Sequence, residues 1–297
     1  KVRFRKPSWS EYSVLANDAM RFGDGTNVFG PIHSNGGIRF DGQANNVVTS
    51  AVEDYVDPDT GITRPGVWTS KSDEGQVFLA GKDFPVPSID FNGVTSDLNL
   101  IEQESQIDGV YLAEDIYNEE YCGWFRTGWR SWEYDCRNRE RDILGFHLIL
   151  RVDGRFEVRK VLDYGSSSYR IFEEVDSQIF NYPNNSLIFS DKHLWVEGQI
   201  NGEQISIVSA DLNGGQDTNI YINNDILYTN YDGSDIIGLI AENNVTVGYY
   251  SENDLEINGA LLAQKGRVGR DYYFNNYKDQ ITIKGSIATN KRYGFAY

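Results

Sequence analysis

The sequence predicts a mostly β chain, a right-handed parallel β-helix interrupted by a small helix-plus-hairpin module, and three observations point there. First, 19 Tyr, 15 Phe and 6 Trp stand among many Val, Ile and Thr, with 29 Gly and frequent Asn-Gly, Asp-Gly and Asn-Asn pairs. These are the residues of pleated strands and of the turns between them. Second, short alternating runs such as Ile205–Val208, Ile236–Ala241 and Val245–Tyr249 are each closed by Asn, Asp or Gly within a few positions. Two-residue alternation with turn residues at this spacing means many short strands. Third, an apolar-x-Gly-x-apolar pattern recurs around Gly30, Gly42, Gly198, Gly259 and Gly285, and around Asn224 with Asn in the glycine position. The last four centres, 198, 224, 259 and 285, are 26, 35 and 26 residues apart. A period of a few tens of residues suits rungs that stack, because no rung can bury its apolar face alone. An antiparallel β-sandwich is the alternative that the same short strands allow.

The middle of the chain reads differently. In Val94–Gln106 apolar residues fall at 94, 98 and 101, with Ile107 following. This spacing of three and four predicts a helix. Gly145–Arg151 and Arg155–Leu162 flank Val152-Asp153-Gly154, and Asp-Gly between two strand-like runs predicts a hairpin. The chain therefore divides into first rungs at 1–80, an inserted α+β module at 81–186 and a second group of rungs at 187–297.

Charge bounds the partners. The chain carries 27 Lys+Arg against 44 Asp+Glu, a net −17. That field repels phosphate backbones and anionic lipid, and argues against general nucleic-acid or membrane-surface binding. The sequence has no run of 18 apolar residues, the length that a spanning helix requires. It begins at Lys1 without an initiator Met or a signal-like apolar region, which reads as a processed form whose anchor lies outside it.

Cys122 and Cys136 are the two cysteines, with no CxxC and no nearby His in sequence. That pattern favours a local disulfide over zinc. Closing so short a loop contributes about 3 kcal/mol on the chain-entropy account, and it places the chain in an oxidising compartment, outside the cell or at its surface.

Several stretches form a set: Gly30-Pro31-Ile32-His33-Ser34-Asn35-Gly36, Ile89-Asp90-Phe91-Asn92, Gly145–Leu150 running into Asp153-Gly154-Arg155-Phe156, Leu194–Gly198 with Ile205–Ile207, and Ile237–Ala241. The series resembles the ectodomains of PilX-type pilus-assembly proteins, the large minor pilins of bacterial type IV pili. The resemblance implies a β-rich globular head at the cell surface, carried on an apolar N-terminal helix that this sequence does not contain. It also implies other pilin or filament subunits as partners, with membrane contact only through that helix.

Little in the sequence resembles catalytic machinery. His33, His147 and His193 are the only histidines, and none has a second His at metal-ligand spacing. His147 reads as a sheet-face residue. His33 beside Ser34 reads as a turn, since no nucleophile-elbow glycines surround Ser34. No P-loop or dinucleotide fingerprint is present. Asp211, Asp225, Asp232 and Asp235 could supply the two carboxylates of a secreted polysaccharide-acting β-helix enzyme, the rival reading, yet each lies in a Gly/Asn-rich segment that suits a turn. The chain reads as non-catalytic.

Two candidate sites remain. Asp54, Asp57 and Asp59 precede Thr60-Gly61 and offer three hard oxygens for Ca2+, although the bidentate Glu of an EF-hand is missing; a solvated acidic loop is the alternative. Tyr121–Arg141 gathers Trp124, Trp129, Trp132 and Tyr134 with Arg126, Arg130 and three further arginines against Glu133, Asp135 and Glu140. Aromatics and arginines anchor interfaces, stack on sugars and stack on single-stranded bases, so Trp124, Arg126, Trp129, Arg130, Trp132 and Tyr134 form a candidate ligand-binding set. Glycan, a host or cell-surface protein and a neighbouring filament subunit fit it, and the acidic field counts against DNA. The alternative is a satellite core around the disulfide.

Overall fold

The computed structural model describes residues 9–91 and 94–296. The chain is mostly β, and among the described residues it has one α-helix, Val94–Asp108, which we call α1. Nineteen strands join one large sheet in which most pairings are parallel.

One ladder organises this sheet. Val110, Ile188, Ile207, Leu239, Leu261, Ile287, Val14, Ile32 and Val48 stand opposite one another on successive parallel strands. They pack into the principal core. Two residues further along, on the eight strands after that of Val110, runs a ladder of small residues: Ser190, Ser209, Ala241, Ala263, Thr289, Ala16, Ser34 and Ser50. All eight are fully buried. Two further columns run beside the first. One aligns Leu194, Ile220, Val245 and Val268, and the other aligns Gly198, Ile226, Ile257 and Ile283.

The ladder has a seam. Val14–Ala16 pairs with Ile287–Thr289, so the two ends of the sequence meet in the middle of the stack. From Val14 the strands step outward to Lys82–Asp83, which pairs with Val48–Thr49. The chain then returns to the opposite end, where Val110–Leu112 pairs with Ile188–Ser190. The return segment crosses the outer side of the first column. Ile89 and Phe91 pack with Leu15, Leu262 and Ala288, and Leu98 and Ile101 of α1 pack with Phe189, Val208 and Ile240. These strands are therefore covered on both sides, which is why they read as continuous apolar runs instead of alternating ones.

Both ends of the stack are closed. At one end Lys82 occupies the next position in the aliphatic ladder, opposite Val48. Its ammonium donates to the Val67 carbonyl (3.2 Å), pairs with Glu74 (2.9 Å) and lies over the Phe78 ring (5.1 Å). A charge in that position blocks a further strand. At the other end Gly145–Leu150 continues the parallel pairing onto His193–Gly198, then turns through Arg151–Gly154 into Arg155–Tyr164 and on to Ile171–Asn181, both antiparallel. This is the hairpin expected around Asp153-Gly154.

The segments around Gly198, Asn224, Gly259 and Gly285 do lie on neighbouring parallel strands, but Asn224 does not take the glycine position. Gly198 stands opposite Ile226, and only Gly259 and Gly285 stand opposite each other. The repeats in register are Gly198, Ile226, Ile257 and Ile283, set by how many residues each connection inserts. Two glycines are sterically required: a Cβ on Gly285 would lie 1.9 Å from the Gly259 carbonyl oxygen, and one on Gly198, whose φ is +110°, would lie 2.3 Å from that of Leu150. Gly198→Ala is expected to lose about 1–3 kcal/mol through backbone strain alone, read as a lower urea midpoint at unchanged slope.

Candidate functional site

Tyr121–Arg141 forms most of a β-hairpin instead of a loop. Ile116–Arg126 pairs antiparallel with Trp132–Asp142 through eleven residue pairs and forms a two-stranded sheet of its own. Cys122 and Cys136 stand opposite each other and are disulfide-bonded. The cysteines lie near Glu120, but with both sulfurs in the disulfide no thiolate is left for a metal.

Strand alternation sorts the hairpin into two faces. One carries the disulfide, Trp124 opposite Tyr134 and Arg126 opposite Trp132, with the Trp124 and Tyr134 rings edge to face at 5.7 Å. The other carries Tyr121, Phe125, Arg137, Glu133 and Asp135, with the Arg137 guanidinium 3.9 Å from the centre of the Phe125 ring. The tip is braced from within: Arg126 donates to the carbonyls of Gly128 (3.0 Å) and Trp129 (2.9 Å), and Thr127 N–H donates to the Ser131 carbonyl (3.0 Å). The base is anchored by Arg141, which makes a bidentate pair with Glu173. Trp124, Trp129 and Trp132 remain 67%, 88% and 60% exposed, so they form no satellite core. Arg130, at the tip, makes no ion pair among the described residues.

The aspartate run does not form a cage. Asp54 is exposed at the start of strand Asp54–Val56, which pairs with Thr63–Pro65. Asp59 is taken by Arg21 (3.2 Å) and Arg292 (2.8 Å). Asp57 is buried and holds the turn, its Oδ1 accepting from Asp59 N–H (2.8 Å). Its Oδ2 is buried without a hydrogen-bond partner among the described residues. Ca2+ takes six to eight oxygens, whereas the three carboxylates do not converge to within 4.8 Å of one another. The candidate Ca2+ site is a hairpin turn.

The other aspartates act in turns. Asp211 accepts from the N–H groups of Asn213, Gly215 and Gln216, and Asp232 from that of Ser234. Asp235, buried, accepts from the N–H groups of Gly202, Glu203, Thr229 and Asn230. Ser34 Oγ donates to the Asp18 carbonyl (2.8 Å), while His33 is held between Thr49 and Asn35. The Ser34 and His33 side chains thus hold local structure. Burial lowers the pKa of His33, and lowers that of His193 to about 4.

One feature that the sequence did not reveal lies on the outer side of the second and third columns. A groove of about 560 Å3 is lined by Glu197, Asp225, Glu252 and Asp254, with Ile149 and Leu227 among its apolar residues. Neither Lys nor Arg is among the described residues that line it. Parallel register assembles it from distant segments: Ile149 stands opposite Glu197, and Asp225 Oδ1 accepts from the Glu256 N–H (2.8 Å). At its edge His147 bridges two carboxylates, Nδ1 to Glu174 (2.8 Å) and Nε2 to Glu197 (3.3 Å). Arg159 also pairs with Glu174. Burial opposes charge on His147, but the hydrogen bonds to Glu174 and Glu197 outweigh it and raise its pKa to about 9. The hydrogen bond from His147 holds Glu197 below its usual range, and with Arg159 it lowers Glu174 to about 2. Glu197 is therefore an anion at neutral pH and has no proton to donate as a general acid.

No protein-family model matches this chain, and no curated protein or solved structure matches it. Among the described residues no helix is long and apolar enough to cross a membrane.

Two predictions follow from these contacts. The His147 contribution to stability is complete below its unfolded pKa near 6.5 and is lost as pH rises through about 9, whereas that of Glu174 is present above about 4.5 and is lost as pH falls towards 2. Urea midpoints should therefore fall between pH 7 and 9.5, and this fall should shrink in His147→Gln, which itself loses about 1.5–3 kcal/mol at pH 6. Melting in millimolar Ca2+ should match melting in chelator, since saturation at 100 times a dissociation constant would add about 2.7 kcal/mol.

Proposed function

We propose that this chain is the non-catalytic head of an extracellular surface assembly, a right-handed parallel β-helix that presents the disulfide-stapled hairpin as its recognition element. The observation that carries this reading is the exposure of Trp124, Trp129 and Trp132 on a hairpin that forms its own sheet. Large aromatics left in water cost hydrophobic free energy that covering them recovers, and Trp, Tyr and Arg dominate the energetics of protein interfaces. The disulfide and the cross-strand Trp124–Tyr134 contact fix the hairpin before binding, which reduces the ordering cost of association. The disulfide also supports an oxidising location. The motif resemblance to PilX-type minor pilins supports filament subunits as the partner class. The β-helix is supported by the three columns of parallel pairing and by the in-register aliphatic ladder, since parallel connections are right-handed in about 98% of cases.

Trp124→Ala, Trp129→Ala and Trp132→Ala, made singly, should each leave unfolding free energy within about 0.5 kcal/mol of the parent while reducing retention on filament preparations or on a glycan array. A loss of 3–5 kcal/mol, the cost of truncating a buried aromatic, would instead make the hairpin part of the core and end the recognition reading.

A further inference from the structure

We infer that the hairpin of one copy of this chain docks into the Glu197–Asp225–Glu252–Asp254 groove of a second copy, joining copies head to tail. This rests on the hairpin being a recognition element and names its partner.

Charge complementarity favours a second copy. The chain is −17 overall, so two copies repel unless opposite local fields meet. The hairpin Ile116–Asp142 as a whole holds five arginines against six acids, and Arg137, Arg139 and Arg141 pair with Asp135, Glu119 and Glu173. Its cationic part is the tip, where Arg126 to Trp132 holds Arg126 and Arg130 and no acid. The groove is lined by four carboxylates, of which Glu197 pairs with His147, with no lining Lys or Arg among the described residues and with Ile149 and Leu227 to receive apolar side chains. Trp129 at the extreme tip, 88% exposed, is the side chain placed to enter first.

Area agrees. Aromatic side chains bury about 150–250 Å2 each when covered. At their 67%, 88%, 60% and 60% exposure, Trp124, Trp129, Trp132 and Tyr134 together supply roughly 400–700 Å2 of the roughly 800 Å2 per partner of a standard stable interface. Strand addition is a poorer route between copies at the end where Lys82 blocks the aliphatic ladder. Hairpin and groove are different patches, so the contact is heterologous. Copies joined in this way form an open filament or a ring, not a closed two-fold dimer.

The experiment is sedimentation velocity over a concentration series on the intact chain and two variant proteins: Trp129→Ala with Arg130→Glu on the hairpin, and Asp254→Lys in the groove. All the altered side chains are exposed, and melting curves on each variant verify the fold; Arg130→Glu alone serves if the double variant melts early. The parent should self-associate with concentration, and less so at high salt. Each variant alone should self-associate at least tenfold more weakly. An equimolar mixture of the two should form a discrete heterodimer that grows no further, because one variant supplies only a hairpin and the other only a groove. A parent that stays monomeric throughout overturns the inference, as does a mixture that stays monomeric or variants that assemble like the parent. Such a result leaves the recognition reading standing if the tryptophan variants melt normally and lose retention on filaments or glycans, and removes it if they melt early.

Discussion

The pairing of Val14 with Ile287 is the contact on which the rest of the structure depends. It makes one continuous ladder from two sequence-distant groups of strands, so that nine aliphatic residues from Val110 to Val48 form a single column. A single strand, three to ten residues long here, buries too little apolar surface to offset its own ordering entropy. Stacked in register, every inner residue is covered by the ones above and below it. The adjacent ladder of Ser, Ala and Thr is the necessary companion, because fully buried positions two residues further along admit only small side chains. Where hydroxyls occur there, they find partners: Ser34 donates to the Asp18 carbonyl, and Ser209 to that of Lys192.

The same seam dictates the return segment. Since the outward-stepping strands end at Lys82 and the next strand in sequence lies at the far end, the intervening chain must travel the length of the stack. It does so over the column whose outer residues include Phe189, Val208, Ile240, Leu262, Ala288 and Leu15, all apolar. The second column is covered in turn, where Trp195 and Tyr221 pack with Val161, Tyr164, Tyr169 and Ile171, and beyond that cluster the outer surface carries charge. There His147, Arg159, Glu174 and Glu197 form their network, and there the acidic groove lies.

How much of this the sequence disclosed follows from the range of each signal. α1 was legible because its spacing of three and four is local, and the Asp153-Gly154 hairpin because its turn chemistry is local. The disulfide was legible as two cysteines without metal-type partners. The Cys-stapled strands were not legible as strands, because both of their faces meet solvent and no apolar/polar alternation marks them. Register was only half legible. The glycine pattern matched Gly259 with Gly285, where a Cβ would strike backbone, but it mistook Asn224 for the partner of Gly198, because connections of unequal length shift the repeat without changing its local look. The groove was out of reach for the same reason: Ile149, Glu197, Asp225 and Asp254 meet only once the register is known. The aspartate run left Ca2+ and a plain acidic loop both open, because local carboxylate density does not reveal which carboxylates are already taken, as Asp59 is by Arg21 and Arg292.

A stacked sheet of this kind carries a standing hazard, since each end of the stack offers unpaired backbone to any passing strand. This chain answers it differently at its two ends. At one end a lysine takes the place of the next aliphatic residue, its charge held by Glu74 and the Val67 carbonyl and its stem set over Phe78. At the other, the parallel stack gives way to antiparallel strands whose pairing shifts register between Val158 and Lys160 and again near Asp163, irregularities that twist an edge away from further pairing. Backbone pairing is thereby spent within the molecule, and what remains outward is side-chain chemistry. Carboxylates outnumber cations over the chain, while the exposed tryptophans Trp124, Trp129 and Trp132 gather on one hairpin anchored to the antiparallel end through Arg141 and Glu173. Because the hairpin forms a sheet of its own, a contact made at its tip need not disturb the ladder.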